Sequence, residues 1–204
     1  MNILIENQIL SPVDIYDIYR RATGITIEKY DHYTKRTYRN RFKVISPNGI
    51  QVISIPVKHK MPSKYFKDIE IAYHNNWVGR LKNTLRTNYG SAPFFTYFAD
   101  DIFAIFDKKH RYLFELNNEL RQYVMELLDM DTDIKYTSGY IHDYNEEIID
   151  LRDKYSPVTT QDTDSDYHYT QVFEYKYGFI PGMSILDYIF NAGTSGFLSM
   201  TFTS

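Results

Sequence analysis

The sequence predicts one α/β domain spanning 1–204, a mixed β-sheet with helices packed on it. Three observations lead there. Short β-branched or apolar runs alternate with stripes at helical spacing. An Asn-Gly pair sits between two strand-like runs, so at least one strand pair is antiparallel. The chain has 204 residues, 43% of them hydrophobic and none of them cysteine, enough to bury a core without disulfides.

The elements follow in order. Residues 2–5 are a short apolar strand. Ser11-Pro12, with Asp14 three positions after Ser11, signals a helix start leading into 13–19, and Gly24 stops that helix. Ile25-Thr26-Ile27 is β-branched and reads as a strand. Residues 41–46 and 50–57 form a hairpin across Pro47-Asn48-Gly49, and 69–73 alternates with period two. Helices then take over. Residues 77–89 carry Trp77, Leu81 and Leu85 on one face and stop at Gly90. Pro93 opens a second helix with Phe94, Phe98, Ile102 and Phe106, and a third covers about 112–130. The stretch 143–166 holds 8 acids against 2 bases, and 156–168 reads as a mobile loop. Residues 169–175 are expected to return to the sheet as a strand, with a turn at 178–182 and an apolar helix over 184–191.

Composition narrows the function by exclusion. Without cysteine there is no thiolate zinc site, redox dithiol or cysteine nucleophile. The histidines His32, His59, His74, His110, His142 and His168 never fall three or four apart, so no metal site is expected. No G-x-S-x-G, P-loop or G-x-G-x-x-G pattern occurs, and no cofactor is expected. No apolar run reaches the roughly 18 residues of a membrane span, and the first residues lack signal-peptide character, which points to a cytoplasmic protein.

Charge supplies the positive signal. The net charge is −3, but residues 29–87 hold 13 bases and 3 acids, while the remainder is strongly acidic. The densest part is Lys35-Arg36-Thr37-Tyr38-Arg39-Asn40-Arg41. In an extended strand Lys35, Arg39 and Arg41 share a face and form an anion clamp; the plainer reading is a solvated edge strand guarded by charge. Lys58, Lys82 and Arg86 are companion cations, the last two one helical turn apart. Interleaved tyrosines keep single-stranded nucleic acid as a weaker partner.

That stretch, followed by Asn48-Gly49 and Ile55-Pro56-Val57-Lys58, resembles the "NRN…G…VPVK" block of the WbqC-like family. Trp77, Tyr89-Gly90-Ser91-Ala92-Pro93-Phe94-Phe95, Gln171-Val172-Phe173 and the run from Phe179 to Gly193 continue the resemblance in family order. Three features depart from it. The usual Gln-Pro start is only loosely matched by 7–12, Leu81 stands where a His often follows the Trp, and the middle segment between Thr132 and His168 is shortened.

The resemblance implies a transferase of surface-polysaccharide (O-antigen-type) biosynthesis, with glycine or another aminoacyl group as the suggested cargo. Its partner would be an anionic small molecule: a sugar phosphate, nucleotide sugar or activated amino acid. On this reading Arg39, Arg41, Lys58 and Lys82, with Lys35 and Arg86 beside them, hold the anion. Asn40, Gln171 and Asn191 supply neutral hydrogen bonds, and Asp187 orients a cation or acts as base. Ser184 and Asp187 equally form a capping-box pair, and Trp77 and Tyr89 are core residues or substrate platforms. A non-catalytic protein that recognises a glycan intermediate or a partner enzyme is the alternative.

Overall fold

The structure, a computed structural model, describes residues 1–59, 63–142, 144, 147–157 and 167–200. Strand β1 (Asn2–Glu6) leads through helix α1 (Val13–Arg21) to strand β2 (Gly24–Glu28), which lies parallel to β1 with Ile3 beside Ile25 and Ile5 beside Ile27. The antiparallel hairpin β3 (Arg41–Ser46) and β4 (Gly49–Ser54) turns at Asn48-Gly49, where Gly49 takes a positive φ. Helices α2 (Trp77–Tyr89), α3 (Phe95–Asp107) and α4 (Leu113–Leu127) follow, then β5 (Asp133–Tyr136), β6 (Ile148–Asp150), the short α5 (Glu174–Tyr177) and α6 (Ile185–Ala192).

The expected α/β domain is present, as two sheets rather than one mixed sheet. The larger is parallel throughout, in the order β5-β2-β1-β6; the hairpin forms its own two-stranded sheet. β1 is central and covered on both faces, which is why Ile3, Leu4 and Ile5 form an unbroken apolar run. The stripes of α2, α3 and α4 point inward through Leu81, Leu85, Ile102, Phe106, Leu116 and Leu120.

Several local expectations are corrected. Residues 169–175 are not a strand: the chain turns into α5, and Tyr169 is held by ring contacts with Phe179 and Tyr188. β5 and β6 take the sheet places instead. The 69–73 segment makes isolated bridges to Val57 and Tyr112 and no ladder. Pro12, not Ser11, caps α1, and no side chain bonds there. Ser184 does cap α6, its Oγ accepting from the Leu186 N–H at 3.3 Å, but no capping box forms, because the Ser184 N–H donates to the Lys43 carbonyl at 2.9 Å. Of the loop expected over 156–168, residues 158–166 lie outside the described residues.

A cationic cleft as candidate functional site

The stretch 35–40 is a series of turns, not a strand, with Arg36 at φ 65°. Its side chains therefore do not alternate between two faces. Arg39 turns inward and is 1% exposed. Its Nε donates to Asp31 Oδ2 at 2.9 Å, Nη2 donates to the same oxygen, and Nη1 donates to Asp153 Oδ1 at 2.9 Å. Asn117 fixes the backbone by donating to the Arg39 carbonyl at 2.8 Å. Burial pushes the Asp31 carboxyl up while the guanidinium pulls it back. Arg39 is thus the buried half of an internal ion pair, which corrects its expected place in an anion clamp.

The residues on either side open outward. Between 32–41, the chain leaving β4 and the approach to α2 lies a cleft of about 670 Å³. Lys35, Arg36, Arg41, Lys58 and Lys64 line it, with His32, His59 and His74; among the described residues no Asp or Glu does. Ile55, Val57 and Ile69 form its apolar floor. Asn40 is pinned at its mouth, donating from Nδ2 to the Ile55 carbonyl at 2.9 Å, while its Oδ1 has no donor among the described residues.

The cations are not equally committed. Lys58 donates to Glu70 Oε2 at 2.5 Å, and Arg111 reaches the other Glu70 oxygen at 3.0 Å. Those bonds, Lys58 first, hold the Glu70 carboxyl below the usual range. Lys35, Arg36, Arg41 and Lys64 have no carboxylate partner among the described residues. Arg41 Nε is buried without an acceptor. Like charges left together without counter-ions raise a local positive potential, the electrostatic setting for a multiply charged anion.

The remaining expected residues lie elsewhere. Asp187 is 0% exposed and accepts from Tyr89 Oη, Tyr169 Oη and Gln171 Nε2, each at 2.7 Å. Tyr89 Oη also accepts from the Ile45 N–H at 3.0 Å, and Asn191 donates to the Asp187 carbonyl at 2.7 Å. Burial raises the Asp187 carboxyl to about 6, against the pull of its three donors. Asp187, Tyr89, Gln171, Ser184 and Asn191 therefore join α6 to α2, β3 and the 167–180 segment. Wholly buried and held by three protein donors, Asp187 does not line the cationic cleft, where it was expected to act as base.

Lys82 pairs with Asp107 on the outer side of α2 and α3, and Arg86 lies 4.8 Å over the Phe103 ring. Trp77 stacks on Tyr73 at 5.6 Å and meets Phe106 edge-on, 6% exposed: a core residue. Of the expected set the cleft gathers Lys35, Asn40, Arg41 and Lys58, and it adds His32, Arg36, His59, Lys64 and His74. The basic excess over 29–87 was the signal for them; the irregular path that makes them neighbours was not readable.

Fold and cleft together define a small α/β protein with a cationic cleft whose described lining holds no carboxylate. The chain belongs to the WbqC-like protein family, whose model matches residues 25–156. Every residue lining the cleft falls inside that match, as do β5 and β6, whereas Gln171, Asp187 and Asn191 fall outside it. The uncharacterized protein Rv1507c of Mycobacterium tuberculosis (strain ATCC 25618 / H37Rv) is 26% identical over 195 residues, covering 79% of this chain and 80% of that protein. No solved structure matches. No described helix is long and apolar enough to cross a membrane.

Proposed function

We propose that this protein takes part in surface-polysaccharide assembly as a transferase whose anionic precursor, a sugar phosphate or nucleotide sugar, binds in the cleft of Lys35, Arg41 and Lys64. One observation carries the reading: among the described residues, five cations and three histidines line one cavity with no acid beside them. A volume of about 670 Å³ suits a ligand of that size. The family supplies the expectation of glycine or another aminoacyl cargo. In acyl transfer the acceptor oxygen or nitrogen attacks the donor carbonyl, the leaving group departs, and a base takes the acceptor proton. Histidine suits that last task near neutral pH, and the cleft offers three.

The test is calorimetric titration with a sugar 1-phosphate and a nucleotide sugar, followed by mass spectrometry for acyl transfer from glycyl donors. Saturable binding that weakens at least tenfold in Arg41→Ala, and weakens further with added salt, is expected. Absence of binding by any phosphorylated sugar overturns the proposal. Leu81, standing where a His often follows the Trp, favours a second reading, recognition without turnover; binding that stays intact while no donor yields product selects it.

A further inference from the structure

A second guanidinium presents a different problem from those of the cleft. Arg121 lies on α4 and is 3% exposed. Its Nη2 donates to Asn118 Oδ1 at 2.5 Å and reaches Tyr136 Oη at 3.5 Å. Asn118 Oδ1 is shared with Asn7, which donates at 2.7 Å. The Nε and Nη1 hydrogens of Arg121 have no acceptor among the described residues, and no carboxylate pairs with it. Buried charges in proteins are normally paired and hydrogen-bonded, because leaving one uncompensated is costly. Arg39 and Arg152 in this same molecule follow the rule, each with carboxylate partners. Arg121 does not.

Arg121 lines a cleft of about 290 Å³ between α4 and β5. Tyr136 is the last residue of β5, so the guanidinium sits at the carboxyl end of the parallel sheet, where open α/β sheets take their ligands. Met125, Met130 and Ile134 give the cleft apolar walls. Among the described residues Arg121 is its lone cation, and Glu126 stands on the same lining. The unpaired guanidinium has room for one carboxylate partner, and the acid on the same lining disfavours a polyanion.

We propose that this cleft binds a small monocarboxylate with a hydrocarbon body: the carboxylate is received by Arg121 and the body packs against Met125, Met130 and Ile134. The site is separate from the cationic cleft and does not rest on the function proposed for it. The test follows thermal unfolding of the full chain at constant ionic strength with acetate, butyrate, phenylacetate or inorganic phosphate. Butyrate and phenylacetate should raise the midpoint saturably, acetate less so. Arg121→Gln should weaken that response at least tenfold, and Arg41→Ala should leave it unchanged. Should Arg121→Gln fail to fold, Met130→Trp, which fills the cavity and spares the arginine, should abolish the response. The proposal is overturned if no carboxylate shifts the midpoint, if phosphate alone does, if the response survives in every folded cleft variant, or if Arg41→Ala removes it.

Discussion

Replacing Asp187 with Asn tests whether the buried carboxylate is the titrating centre of the C-terminal half. Its carboxyl sits at about 6, against 3.8 for an ordinary aspartate, with burial as the leading cause. A folded value above the unfolded one means that folding favours the protonated acid. That contribution is fully present below about pH 4 and is lost as the pH climbs through 6. At about 1.4 kcal/mol per tenfold, the full loss is on the order of 3 kcal/mol, roughly half of it between about pH 5 and pH 8. Asparagine cannot titrate. It also turns an amide N–H₂ towards the donors Tyr89, Tyr169 and Gln171, a penalty that does not vary with pH. Glu6, Asp14 and Asp31 are raised by burial too, but they are common to both proteins and cancel in the comparison. Urea unfolding of wild type and Asp187→Asn at several pH values should show the variant's deficit largest in acid and shrinking by about 1–2 kcal/mol towards pH 8. A deficit that is constant or grows with pH would refute the reasoning.

Two further outcomes separate structural from ligand-facing charges. Arg39→Met should cost about 3–5 kcal/mol in chemical denaturation, because it strands Asp31 and Glu6 in the interior, whereas Arg41→Ala should stay within about 0.5 kcal/mol of wild type. Asn76 caps α2 by accepting from the Gly79 N–H at 3.2 Å, so Asn76→Ala should lower stability by about 1 kcal/mol, read from the urea midpoint.

The helices were legible because α2, α3 and α4 carry long stripes at a single period, and the hairpin because Asn48-Gly49 can adopt only a few turns. β5 and β6 were not: they have four and three residues, with three of β5 and one of β6 exposed, and β6 lies within the acidic stretch 143–166. The Tyr169–Tyr175 region misled because Tyr169 is buried by ring contacts with Tyr167 and Phe179, outside the segment, rather than by strand pairing, while Tyr175 stays exposed. For the site, the cations that line the cleft come from the basic stretch 29–87. What misassigned Arg39 was distance along the chain: its partners Asp31 and Asp153 lie 8 and 114 positions away, and no local pattern announces the second. Asp187 was misread for a similar reason, since Tyr89 reaches it across 98 positions.

The central strand also has to wait for its neighbours. One edge of β1 is closed by Ile148–Asp150, far along the sequence, and Leu10 and Ser11 bond to the still more distant Ser184 and Ile185. Loop-closure entropy must be met before such non-local contacts reward it, so the parallel sheet and its link to α6 form more slowly than the local helices and hairpin.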